Sequence, residues 1–151
     1  MTGFIIGLIV IIYIMSKTFR IVNQSEVLVI ERLGKYKKTA DAGLNIVWPF
    51  IEKVRARVDL REQTMDVQPQ SVITKDNVTI KIDTVVFYQI TDPKSAVYEI
   101  QNLTSSIKYL TQTTMRDVIG KMELDTTLSS RDDINAQLRQ ILDGATDRWG
   151  C

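Results

Sequence analysis

Residues 78–90, VTIKIDTVVFYQI, set the fold class of this chain, because apolar side chains recur there at every second position except Thr84. This alternation is typical of a β-strand with one buried and one solvated face. Residues 71–74 form a shorter β-type run, and Asp76 and Asn77 between the two runs suit a tight turn. The predicted buried face holds Val78, Ile80, Ile82, Val86, Tyr88 and Ile90, opposite Thr79, Lys81, Asp83 and Gln89. We therefore predict an antiparallel hairpin over residues 71–90.

Two further β-type segments precede this hairpin. Residues 53–61 alternate in the same way, and the alternation changes phase afterwards, which predicts a bulge or break near Glu62 and Gln63. Residues 26–30, EVLVI, are followed by a turn signal at Gly34 that should reverse the chain into another strand. Residues 53–61, 71–74 and 78–90 together predict an antiparallel meander, with one buried face and one solvated face.

The period then changes from that of a strand to that of a helix. Asp92 and Pro93 suit the start of a short helix, Asn102 can cap a second helix that stops near Gly120, and the segment from Ser130 resembles a capping box for a third. The predicted apolar stripes are Leu103, Ile107, Leu110, Thr114 and Val118, and then Ile134, Leu138, Ile141, Leu142, Ala145 and Trp149. Strands followed by helices predict an α+β fold.

Residues 4–15, FIIGLIVIIYIM, carry no charge and are apolar on every face of a helix, which indicates a membrane anchor. A signal peptide would need a positive start and a small-residue cleavage site, and a core helix would show a polar face. The uncharged stretch is roughly 22 Å long as a helix, against about 30 Å of hydrocarbon, so crossing the bilayer and lying shallow in it both stay open. The predicted anchor residues are Phe4, Ile5, Ile6, Leu8, Ile9, Val10, Ile11, Ile12, Tyr13, Ile14 and Met15.

Basic residues cluster next to this anchor. Lys17 and Arg20 follow the apolar run, and because such cations are retained on the cytoplasmic side, we expect the rest of the chain to be cytoplasmic. Residues 17–61 hold ten basic and five acidic residues, whereas residues 62–151 hold nine basic and thirteen acidic ones. The basic part fits a surface that rests on anionic lipid, and it fits an ordinary solvated face equally well.

A second place where membrane contact is plausible is the aromatic segment Trp48, Pro49 and Phe50. Amphipathic rings are favoured at the headgroup level of a bilayer. Large aromatic side chains are, however, more commonly packed into a core beneath a loop. Both interpretations stay open at this point.

The sequence predicts no catalytic residues, no cofactor and no metal site. Its single cysteine, Cys151, excludes an internal disulfide framework, and the absence of histidine excludes a zinc site with histidine ligands and a histidine-dependent triad. Ser129 and Ser130 have no histidine to activate them, and Asp132 and Asp133 are better explained as first-turn carboxylates of a helix. A membrane-anchored hydrolase is therefore disfavoured.

Nucleotides and nucleic acids are not predicted ligands either. The glycines do not form a phosphate-binding loop. The basic residues 53–61 could contact phosphates, but they lack the aromatic residues on which single-stranded bases stack. Lipid or solvent is the expected neighbour of this segment.

The order of these parts resembles the SPFH or band-7 family, which includes stomatins, prohibitins, flotillins and bacterial stomatin-like proteins. The resemblance covers nearly the whole chain after Val22 and is greatest to the prokaryotic stomatin-like branch. It is carried by VIERLGKYKKTADAGLNIVWPFIEKVRARVDLREQTMDV (29–67), ITKDNVTIKIDTVVFYQITDP (73–93) and LTQTTMRDVIGKMELDTTLSSRDDINAQL (110–138).

The resemblance implies a non-enzymatic membrane scaffold that forms homo-oligomers and organises lipid microdomains and membrane protein complexes. It implies a membrane anchor in residues 1–20 and an SPFH domain in residues 21–151. It also implies that a last strand and an assembling coiled coil would follow Cys151, so we expect a truncated chain. The expected partners are membrane lipid, further copies of the chain in its full-length form, and membrane proteases or an NfeD-type membrane protein, at the plasma membrane of a prokaryote. The alternative is an adaptor that regulates a membrane protease or channel.

Overall fold

Helix α1 (Thr2–Thr18) begins the chain in the computed structural model, which describes the backbone of residues 2–151 and the side chains of residues 6–9, 11–16 and 18–151. A helix therefore forms where the anchor was predicted. Within residues 2–151, however, no helix combines the length and the apolar character needed to cross a membrane. The prediction of an N-terminal membrane helix is thus supported in its secondary structure and not as a membrane span.

The chain divides into two compact units, Met1–Arg61 and Glu62–Cys151. The division falls at the predicted break near Glu62, where β-type alternation changes phase. Each unit contains its own antiparallel pairing and its own buried apolar cluster.

The first unit contains two separate antiparallel ladders. A three-stranded ladder has the order β3-β2-β5, and a two-stranded ladder pairs β1 with β4. The meander predicted over residues 53–90 is wrong, because residues 52–59 pair with β2 and not with the hairpin that follows them. The strands are β1 (Phe19–Val22), β2 (Glu26–Arg32), β3 (Lys35–Ala40), β4 (Gly43–Ile46) and β5 (Glu52–Asp59).

The predicted reversal after β2 is confirmed as a two-residue turn. Leu33 and Gly34 both have positive φ, 50° and 82°, and this geometry matches the right-handed twist of paired strands. Strand β2 lies in the centre of its ladder and is buried at four consecutive positions. The apolar cluster of this unit consists of Val22, Leu28, Ile30, Ala40 and Val47, with Val54 packed against it.

The second unit begins with the predicted hairpin, formed by β6 (Gln63–Ile73) and β7 (Thr79–Tyr88). Asn77 takes the positive φ of 68° that the turn requires. The register shifts between Val67 and Gln70, and Pro69 explains the bulge because proline has no N–H to donate to the ladder. This pair forms its own ladder, separate from both ladders of the first unit.

In the helical half, most of the helix starts predicted from the sequence are confirmed. Asp92 and Asn102 cap the first two helices, with their side chains accepting from the N–H groups of Lys94 and Ser105, both at 3.1 Å. The elements are α2 (Pro93–Tyr98), α3 (Leu103–Gly120), α4 (Leu124–Ser129), α5 (Arg131–Thr146) and a 3₁₀ turn (Asp147–Trp149). Gly120 belongs to α3, which is capped by Lys121.

Two predictions for the third helix are wrong. The helix begins directly after Ser130, but Ser130 makes no side-chain cap. The Ser130 N–H instead donates to the carbonyl of Thr126 at 2.9 Å, at the end of the unpredicted helix α4. Ile141 is exposed and lies off the stripe, whereas Ile134 and Leu138 are buried. The apolar cluster of this unit contains Val72, Met115, Val118, Ile119, Ile134 and Leu138.

The turn between β6 and β7 is joined to the start of α4. Asp76 Oδ1 accepts from the hydroxyl of Thr74 at 2.5 Å and from the N–H of Leu124 at 3.2 Å. The N–H of Lys75 donates to the carbonyl of Met122 at 2.9 Å. Two segments that are far apart in the sequence therefore form one hydrogen-bonded corner, in which a hairpin carboxylate satisfies a free N–H at a helix N-terminus.

Candidate functional site

The β1–β4 ladder presents an apolar face to solvent. Its register places Phe19 opposite Ile46 and Ile21 opposite Leu44. Because side chains alternate along a strand, these four residues share one face of the ladder. All four are between 43% and 76% exposed. We call this set of four residues the ribbon face.

The chain continues from the ribbon face into an exposed aromatic turn. Trp48 is 61% exposed and Phe50 is 79% exposed, so the interpretation of these rings as a core plug beneath a loop is wrong. The turn is closed by the N–H groups of Ile51 and Glu52, which donate to the carbonyl of Trp48 at 3.2 and 2.8 Å. Val47, directly before it, is buried, and its N–H donates to the carbonyl of Thr18 at 2.9 Å.

A buried carboxylate forms hydrogen bonds that stabilise this turn. The side chain of Glu52 is 2% exposed and pairs with Lys37, which extends from the neighbouring hairpin. Its second oxygen accepts from the N–H of Trp48 at 3.3 Å. The hydrogen bond from Lys37 lowers the pKa of Glu52, with a further contribution from the Trp48 N–H, while burial opposes both. The turn that presents Trp48 and Phe50 is therefore fixed at both ends.

We expect Glu52→Gln to destabilise the first unit by about 1–3 kcal/mol at pH 7, because a charge-assisted hydrogen bond in a buried place is lost. The lowered pKa of Glu52 means that its contribution is present above the ordinary carboxyl range and is lost as the pH falls through the lowered value. The difference between wild type and variant should therefore shrink below about pH 4. Urea unfolding of both proteins at pH 7 and pH 3 measures this difference in the free energy of unfolding.

Glu123→Gln is the matched control for that prediction. Glu123 forms an exposed ion pair with Lys75 at 3.5 Å, and such pairs contribute about 0–1 kcal/mol. An equal loss of stability in both variants at pH 7 would contradict a special role for Glu52.

Helix α1 adds further apolar side chains to the first unit. Ile14 is half-buried, while Ile6, Leu8, Ile9, Ile11, Ile12, Tyr13 and Met15 are all more than half exposed. The predictions for Phe4, Ile5 and Val10 fall on side chains outside the described set. The other predicted anchor residues thus lie on a helix whose described side chains are mostly open to the surroundings.

The polar residues considered for catalysis take part in local structure. Asp132 and Asp133 lie in the first turn of α5, and the hydroxyl of Ser129 donates to the carbonyl of Asp125 at 2.7 Å. Burial raises the pKa of the Cys151 thiol. Among the side chains that the structure describes, no group of three or more histidine, cysteine, aspartate or glutamate residues could hold a metal ion.

The ribbon face was not predicted from the sequence, although the sequence contains a pattern that indicates it. Phe19 and Ile21 alternate with polar or buried partners, and so do Leu44 and Ile46. Each run is only four residues long, which is too short to distinguish a strand from a loop by periodicity. Only the pairing of the two runs places their apolar residues together.

Comparison of the sequence with protein families identifies the family of this chain. Residues 20–151 match the SPFH domain / Band 7 family. The chain belongs to this family. The resemblance inferred from the motif order is thereby confirmed.

This SPFH domain is similar to several prokaryotic proteins. It is 53% identical over 139 residues to an uncharacterised protein of Mycobacterium tuberculosis, covering 92% of this chain and 36% of that protein. It is 47% identical over 146 residues to an uncharacterised protein of Methanothermobacter thermautotrophicus, covering 97% and 46%. It is 40% identical over 152 residues to a stomatin homologue of Pyrococcus abyssi, covering 99% and 56%. The chain thus spans from about a third to just over half of these relatives.

The family motifs occupy defined places in this SPFH domain. The Arg32 to Lys35 motif forms the turn between β2 and β3, and Gly43, with φ of 117°, starts β4 on the ribbon. The Thr74 to Val78 motif forms the corner with Leu124. The motifs that carry the resemblance therefore contribute residues to the β1–β4 ladder and to the hydrogen-bonded corner at Asp76.

Proposed function

We propose that this SPFH domain is the membrane-contacting module of a homo-oligomeric scaffold that organises membrane lipids and membrane protein complexes. The observation that carries the proposal is the ribbon face, Phe19, Ile21, Leu44 and Ile46, which is exposed and runs into the aromatic turn of Trp48 and Phe50. Exposed apolar surfaces of this kind mark sites of contact with proteins or membranes.

Lipid is favoured as the contact because of the residue types around the ribbon face. Tryptophan is enriched at the membrane–water interface, and basic residues are attracted to anionic headgroups. Arg20 lies within β1 itself, and Lys53 follows the aromatic turn in β5. Burying one isoleucine, leucine or phenylalanine side chain contributes about 1.5–3 kcal/mol, so the ribbon face offers enough for a stable attachment.

Helix α1 supplies the second part of the attachment in this proposal. It is 17 residues long, about 26 Å at the usual rise. A shallow position at the interface suits this length and its exposed apolar side chains. The helix and the ribbon face would then hold the first unit against the cytoplasmic side of a prokaryotic plasma membrane.

Assembly and the absence of enzymatic activity are proposed from family membership. Two relatives carry the name stomatin homologue, and the chain covers 56% and 57% of them. Further copies of the chain, membrane proteases and an NfeD-type membrane protein are the proposed partners. Sedimentation of the full-length protein in mild detergent tests assembly, and a monomer would contradict it.

Quenching of Trp48 fluorescence by brominated phospholipid tests the membrane contact directly. In a Trp149→Phe background Trp48 is the only tryptophan, and lipid brominated in the upper acyl chain should quench most of its emission. In the matched Trp48→Phe background the remaining Trp149, in the second unit, should keep its emission. Vesicle-bound protein with unquenched Trp48 would contradict contact through the aromatic turn.

A further inference from the structure

A groove of about 530 Å³ lies within the first unit beside the aromatic turn. Its walls are mainly apolar and include Val47, Phe50 and Val54, while Arg20 and Lys53 contribute cationic ends. A volume of this size is within the range of small-molecule sites, about 300–1,000 Å³. The groove thus combines apolar walls with positive charge.

Among the described side chains of this unit, several cations pair with carboxylates and the two cations of the groove do not. Lys37 pairs with Glu52, Arg55 with Glu31 at 3.7 Å, and Arg57 with Glu26 at 3.4 Å. Among the described side chains, no carboxylate lies within ion-pair distance of Arg20 or Lys53.

Glu52, the acidic residue in the groove wall, does not offset this charge. Its carboxylate is buried and engaged by Lys37 and by the Trp48 N–H. The accessible charge of the groove is therefore positive, and an occupant that matches it would carry an anionic group and an apolar chain.

We propose that this groove binds one anionic phospholipid, with its phosphate at Arg20 and Lys53 and the start of an acyl chain along Val47, Phe50 and Val54. Guanidinium and ammonium groups are the side chains that bind phosphate in proteins. The inference rests on the proposed membrane contact, because Phe50 belongs both to the aromatic turn and to the groove. It adds a specific lipid class to that contact.

Vesicle binding of the full chain tests the inference with two double variants that each remove two charges. Arg20→Gln/Lys53→Gln should bind vesicles of phosphatidylcholine with phosphatidylglycerol about 25-fold more weakly than wild type, since one basic residue near the surface contributes about fivefold. Lys35→Gln/Lys38→Gln, the matched control on the exposed strand β3, should bind less than about threefold more weakly. Equal losses in both variants would overturn the inference, because general charge attraction would then explain the binding.

Two further arms separate the groove from the membrane contact itself. Both arms use the Trp149→Phe background, here taken as wild type for the groove. On pure phosphatidylcholine vesicles, Arg20→Gln/Lys53→Gln in this background should show the same Trp48 quenching as the background alone. If Trp48 were unquenched in wild type on both vesicle types, the proposed function would fail; if quenching persisted without any preference for phosphatidylglycerol, only the groove inference would fail.

Short-chain phosphatidylglycerol below its micelle concentration provides the direct observation. It should shift the methyl resonances of Val47 and Val54 in wild type and leave them unchanged in Arg20→Gln/Lys53→Gln. Inorganic phosphate should cause less than a tenth of that shift at equal concentration. Equal shifts with phosphate alone would overturn the assignment to a lipid.

Discussion

The double variant Ile21→Glu/Leu44→Lys is expected to lose at least about 100-fold in the equilibrium constant for insertion of the ribbon into a bilayer. These two residues face each other across the β1–β4 ladder and are the most exposed members of the ribbon face, at 76% and 66%. Burial of each in lipid contributes about 1.5–3 kcal/mol, so the loss of both removes about 3–6 kcal/mol. A loss of 1.4 kcal/mol corresponds to tenfold.

The chosen substitutions keep the ladder itself intact. Opposite charges at directly facing positions stabilise a strand pair, and the net charge of the chain does not change. Trp48 in the Trp149→Phe background reports insertion, and its quenching by brominated lipid should lose most of its amplitude. This readout reports insertion of the ribbon face itself, whether or not helix α1 also binds the vesicle.

Val85→Glu/Phe87→Lys is the matched control in the second unit. Both residues are exposed apolar residues of β7, at 49% and 65%, so the control makes the same chemical change on another strand. Its Trp48 quenching should equal that of the parent. If the control lost as much quenching as Ile21→Glu/Leu44→Lys, the ribbon face would not be the contact.

Gly150→Ala is expected to destabilise the second unit by about 2–4 kcal/mol and to lower its thermal midpoint by about 10–25 °C. Gly150 has φ of 76°, a conformation that costs an L-residue about 1–2 kcal/mol. An added Cβ would also lie closer to the carbonyl oxygen of Asp92 than van der Waals contact allows, and 3.0 Å from its Cβ. The nearest atom is the backbone carbonyl oxygen of Asp92, which cannot move away by a rotamer change as a side chain can.

The position also carries hydrogen bonds that a shift would break. The carbonyl of Gly150 accepts from the N–H groups of Thr91 and Asp92 at 2.8 and 3.0 Å, and so joins the end of the helical segment to the start of α2. Trp149 emission in a Trp48→Phe background reports unfolding next to this contact.

Gly144→Ala is the control with the opposite expected sign. Gly144 lies in α5, and a Cβ there would meet nothing within 4 Å. Alanine in a helix interior should stabilise the unit by about 0.5–1 kcal/mol. If Gly150→Ala left the midpoint unchanged while Gly144→Ala raised it, the close approach to Asp92 would not constrain this unit.

Local patterns predicted most of the elements because their signals lie within a few residues. The hairpin of β6 and β7 follows from alternation around Asn77, and the helix starts at Asp92 and Asn102 follow from capping side chains that bond two or three residues ahead. Helix α4 was missed, because its first N–H is satisfied by Asp76, a residue outside its own segment. The next helix start, after Ser130, was predicted correctly, and α5 begins at Arg131.

The candidate site shows the same division between local and distant information. The apolar character of α1 and the aromatic segment at Trp48 could be read from the chain, because each is a continuous run of residues. The burial or exposure of Trp48 and Phe50 could not be predicted from the chain, since it depends on which other segments cover these side chains. The pairing of Glu52 with Lys37 likewise needs the neighbouring hairpin to bring the lysine to the carboxylate.

Period, capping and motif order were enough to establish the α+β class, the membership in the SPFH family and the apolar start of this chain. The other features depend on the pairing of segments that are far apart in the sequence. The register of β1 against β4 joins two four-residue runs into the ribbon face. The fold of the first unit places Arg20 and Lys53 at an apolar groove, where neither forms an ion pair with another described side chain. The physical reason is that alternation and capping act between near neighbours, whereas exposure, ion pairing and shared faces are properties of segments that meet only after folding.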